Sequence, residues 1–154
     1  MTTRRPSAAQ GGRLSYAIFA LAKAHRAHAA ELLRGLGLYP GQELLLMHLL
    51  DRDGMTQSEL LETVGHDHST VSKSLRRMQE AGLITREPAE HDRRVLRVRL
   101  TDKGHAMREP LESMWSALER TSCCDLDDKM IEQFITVAHR IESAITRRAA
   151  APSR

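Results

Sequence analysis

The chain has 154 residues, with 23 Lys or Arg against 20 Asp or Glu and a formal net charge of +3. Hydrophobic residues make up 41% of it but aromatic residues only 3%, so the core must consist mainly of aliphatic side chains and Met, which favours helices. No apolar run approaches the ~20 residues that span a bilayer, and no signal-peptide core is apparent. Cys123 and Cys124 are adjacent, which argues against a disulfide framework. A cytoplasmic protein of one domain, or of two small interlocked ones, is predicted.

The first part of the chain predicts an arm and two helices. Residues 1–13 are small, polar and basic, which is typical of a flexible arm. Over 14–37, apolar residues recur every three or four positions, and this helical pattern ends in a glycine-rich stretch. Pro40 is then expected in the first turn of a second helix, which closes at Gly54.

The middle of the chain predicts two short helices and a hairpin. Thr56 and Glu59 have the spacing of a capping box at the start of a third helix. A fourth helix is expected over 68–81, followed by the strand-like runs LITREP and VLRVRLT. The second run alternates residues expected to face the core with arginines expected to face outward: Leu96, Val98 and Leu100 against Arg97 and Arg99.

The last part of the chain predicts two longer helices. The fifth helix begins at Thr101 and is expected to kink at Pro110, because proline has no N–H to donate within a helix. The sixth helix carries a regular apolar stripe. Its members are Ile131, Phe134, Ile135, Ala138, Ile141 and Ile145. Residues 148–154 are expected to form a flexible tail.

Two short helices followed by a two-stranded hairpin predict a winged helix-turn-helix, whose second helix lies in the DNA major groove. On this helix, Val71, Leu75 and Met78 form an inward-facing stripe. The outer surface carries hydroxyl and basic side chains that suit base edges and phosphates. These are Ser69, Thr70, Ser72, Lys73, Arg76 and Arg77. A merely solvated helix face is the alternative, and the adjacent hairpin argues against it.

The predicted wing, residues 89–95, lies in the basic stretch EHDRRVLRVRLTDKG. A tip with two arginines suits the minor groove, where negative potential attracts arginine. Asp92 is expected to brace the tip by pairing with Arg94. The residues predicted to bind DNA here are His91, Asp92, Arg93 and Arg94. An exposed turn with ordinary charges would not require a recognition-like helix directly upstream.

The chain resembles the MarR family of bacterial transcriptional regulators in three stretches. STVSKSLRRMQEAGLI, residues 69–84, is similar to the family's recognition helix and first wing strand. Residues 90–104 are similar to its wing, with the Asp-x-Arg signature at Asp92 and Arg94. LYPGQELLLMHLLDRDGMTQSEL, residues 38–60, resembles its second helix and the start of its helix-turn-helix.

The resemblance implies a mainly α, α+β winged-helix fold in the order α1-α2-α3-α4-β-wing-β-α5-α6, with helices interleaved in a homodimer. It assigns 14–37 and 105–147 to dimerisation and 38–104 to the DNA-binding domain. It also implies a repressor on a pseudo-palindromic operator, with helix 68–81 in the major groove and wing 89–95 in the minor groove. Many members release DNA when they bind a small-molecule effector or are oxidised.

Two other classes of function fit the sequence less well. A winged-helix module that binds proteins without reading DNA is the main alternative, but it would not need a cationic wing. An enzyme is not predicted, because no nucleophile elbow, phosphate-binding loop, dinucleotide fingerprint or carboxylate pair is present. No cofactor is predicted either.

The sequence offers weak candidates for a sensor. Acidic neighbours disfavour a thiolate at Cys123 and Cys124, so these cysteines are interpreted as incidental. The HDH run at 66–68 lacks a recognised zinc-ligand arrangement, and no metal site is predicted. An effector pocket is expected where the dimerisation helices meet the winged unit, with ordinary core packing as the alternative for each candidate. The candidates are Tyr16, His25, His28, His48 and Trp115, together with Met47.

Overall fold

The computed structural model of the protein describes residues 6–65, 67–89 and 92–149. A 3-10 turn at Ser7–Ala9 precedes seven α-helices and one hairpin in this part of the chain. The elements are α1 (Arg13–Gly35), α2 (Gln42–Asp51), α3 (Gln57–Val64), α4 (His68–Glu80), β1 (Ile84–Pro88), β2 (Leu96–Leu100), α5 (Asp102–His105), α6 (Arg108–Ser122) and α7 (Asp128–Ala149). The predicted mainly helical winged-helix class is confirmed. None of the described helices is long and apolar enough to cross a membrane.

The core lies where α2, α3, α4 and the hairpin meet. Leucine, valine and methionine side chains from these elements are almost inaccessible to solvent, as the composition predicted. The most deeply buried are Leu45, Leu46, Leu49, Leu60, Val71, Leu75, Met78 and Val98. Burying them supplies most of the favourable free energy of folding, so the orientations of α4 and the hairpin are set by one shared core.

The predicted capping box at the start of α3 is present. The backbone N–H of Glu59 donates to Thr56 Oγ1 at 3.2 Å, and the backbone N–H of Thr56 donates to Glu59 Oε2 at 2.7 Å. The side chain of Arg52 also pairs with Glu59. These contacts lower the pKa of Glu59 from 4.5 to about 2, first because of the Thr56 backbone hydrogen bond and then because of the Thr56 hydroxyl and Arg52. The first turn of the helix-turn-helix is thereby anchored.

The hairpin is antiparallel, with Ile84 opposite Leu100 and Pro88 opposite Leu96. Val98 and Leu100 are buried as predicted, but the prediction for Leu96 was wrong, because its side chain is 37% exposed. Leu96 begins β2 at the end of the hairpin nearer the wing tip, and only the other end of the strand is packed into the core. The alternation therefore applies to two of its three apolar residues.

Two predictions about prolines were wrong. Pro40 lies before α2 and not in its first turn. The helix begins only at Gln42, because its N-cap Gly41 has a left-handed φ of 93°. Pro110 kinks no helix, because the predicted fifth helix is two helices that separate at residues 106–107. Pro110 is the third residue of α6, within the first turn, where a backbone N–H would have no helical acceptor.

Glycine is required at the junction of the hairpin and α5. Gly104 is buried, and a Cβ built there would overlap the carbonyl oxygen of Leu83. Thr101 caps α5, since its hydroxyl accepts a hydrogen bond from the Gly104 backbone N–H at 3.1 Å. The Thr101 hydroxyl in turn donates to the carbonyl of Gly82 at 2.6 Å. The end of α4 is thus held against the start of α5.

The chain divides into two compact units, Met1–Leu118 and Glu119–Arg154. In the second unit, α7 carries the predicted apolar stripe, but none of its described residues is buried within the chain. In the first unit, α1 also leaves large apolar side chains exposed. These are Leu14, Ile18, Phe19 and Leu21. Residues 1–5 of the predicted arm and residues 150–154 of the predicted tail lie outside the described part of the chain. Arg148, which was predicted to belong to the tail, is helical.

Candidate nucleic-acid interface

Helix α4 has two distinct faces. Val71, Leu75 and Met78 are at most 1% exposed and fix the inward face, as predicted. The residues predicted to contact DNA lie away from that stripe. Ser69, Thr70, Lys73, Arg76 and Arg77 are exposed, whereas Ser72 is half-buried. Ser72 Oγ accepts a hydrogen bond from Gln57 Nε2 at 2.9 Å, which ties α4 to α3.

The first turn of α4 is organised by Asp67, which is its N-cap. Asp67 Oδ1 accepts hydrogen bonds from Ser69 Oγ at 2.6 Å and from the Thr70 backbone N–H at 3.0 Å. Asp67 Oδ2 accepts from Thr70 Oγ1 at 2.6 Å. The hydroxyls of Ser69 and Thr70, followed by the Thr70 N–H, hold the pKa of Asp67 well below its usual range. The carboxylate is therefore ionised throughout the physiological pH range.

The basic residues of α4 differ in how firmly they are held. Arg76 Nε lies 3.7 Å from Glu80 Oε1, an exposed pair one helical turn apart that contributes little stability. The guanidinium of Arg77 lies over the ring of Tyr39, 4.7 Å from its centroid. This cation–π contact orients Arg77 against the turn that precedes α2. Tyr39 was not predicted to take part in the interface, although an aromatic residue is uncommon in a chain with 3% aromatic residues.

At the wing, Arg93 and Arg94 are exposed, as predicted. Asp92 braces the tip, but by a different contact from the one expected. Its Oδ1 accepts from the backbone N–H of Arg94 at 2.9 Å, so the carboxylate fixes the main chain rather than the guanidinium. Val95 closes the turn by donating its N–H to the carbonyl of Asp92 at 3.0 Å. His91, the remaining predicted wing residue, lies outside the described residues.

The turn between α2 and α3 contacts β2 of the hairpin. Arg97 donates to the carbonyl of Gly54 at 2.7 Å, and the guanidinium of Arg99 lies against the same glycine. Asp53 Oδ1 accepts from the backbone N–H of Leu100 at 2.9 Å, and Val98 donates its N–H to the carbonyl of Met55 at 2.8 Å. The outward-facing arginines of β2 thus help to seat the wing on the helix-turn-helix, a role that the sequence alone did not suggest.

The described part of the chain contains an apolar cavity that the predicted effector residues do not line. A mainly apolar cavity of about 560 Å³ lies between α1, α2 and α4, and Leu33, Leu44, Val71 and Ser74 are among its lining residues. The five residues predicted to bind an effector are not among those that line it. His25 is exposed, and Trp115 donates its indole N–H to Met47 Sδ at 3.1 Å.

Tyr16 and His28 both lie on α1, where they are half-buried. Tyr16 packs against Phe19, with 6.2 Å between the ring centroids. His28 Nε2 is buried without a hydrogen-bond partner in the described part of the chain. His48 is half-buried on α2. These contacts identify no ligand, and the effector role of the five residues stays a prediction.

The geometry around the cysteines disfavours a reactive thiolate. Burial of Cys123, and then its contact with Glu119 at 3.5 Å, raise the pKa of its thiol. Cys124 is exposed and unbridged. Among residues 6–65, 67–89 and 92–149, no three His, Cys, Asp or Glu side chains are grouped so that they could hold a metal ion. His66, part of the HDH run, lies outside those ranges.

Comparison with known proteins places these features in context. A family model described as the MarR family matches residues 36–95. An uncharacterized HTH-type transcriptional regulator, YdgJ of Bacillus subtilis (strain 168), is 36% identical over 76 residues. That match covers 49% of this chain and 44% of the relative, so the chain spans less than half the length of the curated relative it matches.

Solved structures extend the likeness of fold to most of the chain. The Staphylococcus aureus MepR–DNA complex has a TM-score of 0.77 at 24% identity, covering 85% of this chain and 97% of that one. Reduced AbfR bound to DNA has a TM-score of 0.75 at 19% identity, covering 90% and 94%. The transcriptional regulator SlyA has a TM-score of 0.76 at 20% identity, covering 88% and 96%. At identities below 25%, these structures show a shared fold.

Proposed function

Because a MarR family model matches residues 36–95, we propose that the chain is a MarR-family regulator, which binds DNA sequence-specifically and acts in the cytoplasm as a homodimer. The observation that carries this proposal is the form of α4. Its buried stripe locks it into the core, and its opposite face presents Ser69, Lys73 and Arg76 to solvent, while Arg94 of the wing is exposed as well. A rigid helix with hydroxyl and basic side chains on its free face suits the major groove.

In the proposed complex, α4 occupies the major groove and the wing, residues 89–95, enters the adjacent minor groove. The exposed guanidinium groups of Arg93 and Arg94 suit the negative potential of a narrow minor groove. Lys73 and Arg76 provide contacts to phosphates or base edges. Arg97 and Arg99 support the wing from the protein side rather than reach DNA, because they contact the turn at Gly54.

The homodimer is proposed from the uncovered apolar surface of the terminal helices. Phe19 on α1 and Phe134 on α7 are 57% and 55% exposed in the single chain. Exposed apolar side chains of this size on amphipathic helices mark interaction sites. Residues 14–37 and 105–147 are therefore proposed to dimerise, and 38–104 to bind DNA. Two-fold symmetry would pair two recognition helices with the half-sites of a pseudo-palindromic operator.

We also propose that the protein represses transcription and that a small molecule releases it from DNA. The apolar cavity between α1, α2 and α4 supports an effector site, because Val71 and Ser74 of the recognition helix line it together with residues of α1 and α2. A ligand there would contact the DNA-reading helix directly. It would shift the DNA affinity by as much as it distinguishes the free from the DNA-bound conformation.

The test is fluorescence anisotropy of the full chain with DNA from upstream of its own gene, against a scrambled duplex at several salt concentrations. Arg94→Ala should weaken operator binding by roughly 1–3 kcal/mol if the wing reads the minor groove. Arg120→Ala, which removes the same charge from α6, is the control and should leave the affinity within about 0.5 kcal/mol. Equal effects of the two variants would remove the wing from the mechanism.

Arg76→Ala separates phosphate contact from base reading in the same assay. A phosphate contact should lower the affinity for both duplexes and reduce the salt slope by about 1. A loss confined to one base position would assign Arg76 to base reading instead. Weak, equal binding of the wild type to both duplexes, and to duplexes from the neighbouring genes, would favour a protein partner for the winged unit.

A further inference from the structure

Asp67 accepts hydrogen bonds from both hydroxyl groups at the start of α4, so that neither hydroxyl can donate to another molecule. Both hydroxyls lie 2.6 Å from its carboxylate, Ser69 on Oδ1 and Thr70 on Oδ2. We propose that Asp67 is a positioning residue for base recognition. It makes Ser69 and Thr70 act as acceptors only, so that this end of the helix selects adenine or cytosine over guanine or thymine. The inference rests on the proposed function, since it requires α4 to lie in the major groove.

The direction of these hydrogen bonds follows from the charge of Asp67. An ionised carboxylate has no proton, so it can only accept. The same hydrogen bonds keep the pKa of Asp67 low, and the carboxylate therefore stays ionised at neutral pH. Each hydroxyl has a single hydrogen and must direct it to Asp67 at this distance. Ser69 and Thr70 therefore present only the lone pairs of their oxygens to any other molecule.

The first turn of α4 places these oxygens where a base would meet them. Ser69 and Thr70 are exposed, and Ser69 lies on the side of α4 opposite the buried stripe. The N-terminal residues of a recognition helix are those that contact base edges. The Thr70 backbone N–H is also occupied by Asp67, so it offers no free donor to a base.

The major groove distinguishes bases by the groups that an acceptor can bind. Adenine presents an N6 amine and cytosine an N4 amine, both of which are donors. Guanine presents O6 and N7 and thymine presents O4, all of which are acceptors. The acceptor oxygens of Ser69 and Thr70 can accept hydrogen bonds from the adenine and cytosine amines. Beside guanine or thymine the acceptors of the base would stay unpaired, which costs free energy once water is excluded. On the strand that Ser69 contacts, the base should therefore be adenine or cytosine.

Ser72 provides an internal contrast on the same helix. Its oxygen accepts from Gln57 Nε2 at 2.9 Å, and it makes no hydrogen bond to a carboxylate among the described residues. Its oxygen also lies 3.4 Å from His68 Nδ1. The hydrogen of Ser72 is thus not committed to an anion as those of Ser69 and Thr70 are. The restriction on donors is local to the cap that Asp67 forms.

The experiment is selection of bound sequences from a randomised duplex library by the full-length protein, followed by anisotropy on single-base variants of the selected operator. Ser69→Ala and Thr70→Val identify the position that each hydroxyl reads. The wild type should prefer adenine or cytosine there by on the order of 5- to 10-fold, the value of one hydrogen bond. Asp67→Asn should reduce this preference to less than about twofold, because one hydroxyl loses its anionic acceptor and can donate to the base.

Asn is a good N-cap, so Asp67→Asn should retain the helix, which circular dichroism and thermal unfolding will verify. Asp92→Asn is the matched control, because it removes a carboxylate from the wing without touching Ser69 or Thr70. It should change overall affinity while the preference at that base position stays within about twofold of wild type.

The outcomes separate the inference from the function on which it rests. If the wild type selects no sequence, the proposed function fails. If it selects an operator but Asp67→Asn keeps the same base preference with merely lower affinity, Asp67 is only a helix cap and the inference is overturned. It is likewise overturned if the position carries guanine or thymine in the wild type, or if neither hydroxyl variant changes the preference at any position.

Discussion

Helices α4 and α7 carry apolar stripes of similar regularity, but the stripe on α4 is buried within the chain and the stripe on α7 is not. On α4, Leu75 and Met78 are completely buried. On α7, Phe134 is 55% and Ile145 is 64% exposed. An amphipathic pattern therefore shows that a helix has a side to cover, but not what covers it. For α4 the cover is the core of its own chain, and for α7 we propose a second copy.

The largest expected effect is on the stripe that the chain covers by itself. Leu75→Ala should lower the free energy of unfolding by about 2–5 kcal/mol, because the surrounding core cannot close the cavity completely. Since this contact is made within one chain, the loss should be the same at every protein concentration. Urea unfolding at several concentrations measures it, and a cost below about 1 kcal/mol would contradict the role of Leu75 in the core.

The stripe on α7 should respond differently, through association. Phe134→Asp should weaken dimerisation by about 2 kcal/mol or more, because it places a charge where the proposed interface is apolar. Sedimentation should show a dimer for the wild type at low micromolar concentration and dissociation for this variant. Gln133→Asp adds the same charge one position away and is the control. A wild-type monomer at low micromolar concentration would refute the interleaved homodimer.

A smaller effect is expected where α4 contacts the turn before α2. Tyr39→Leu should weaken operator binding by about 0.5–1 kcal/mol, because the exposed cation–π contact that orients Arg77 is lost. Tyr39→Phe keeps the aromatic face and should bind like wild type. In the background of Arg77→Ala, Tyr39→Leu should have no further effect, and a full additional loss would show that Tyr39 acts on DNA independently.

The mildest prediction concerns pH and the capping box of α3. The pKa of Glu59 is lowered from 4.5 to about 2 in the folded chain. Its contribution to stability is therefore complete above about pH 4.5 and is lost as the pH falls towards 2. Glu59→Gln keeps a side-chain acceptor for the cap and should reduce the fall in the thermal midpoint between those pH values. An identical acid profile for both proteins would show that Glu59 does not contribute to it.

The sequence predicted the order of the elements well, where local patterns carry the information. The spacing of Val71, Leu75 and Met78 predicted both a helix and its buried side. The Thr56 and Glu59 pair predicted a cap that forms as expected. Pro110 was misjudged because its effect depends on where a helix begins, and the break at residues 106–107 is not marked by a local signal that the pattern could reveal.

The residues of the candidate interface were named from the sequence, but their contacts were decided by the tertiary structure. Arg77 meets Tyr39, 38 positions earlier, and Arg97 meets Gly54, 43 positions earlier. The chain folds these pairs together through a shared core, and no periodicity within α4 or β2 encodes them. By itself the sequence determined the helices, the hairpin and the basic character of the reading face, since these depend on neighbouring residues. Which arginines are free and which support the wing depended on distant segments meeting, so only the tertiary structure decided it.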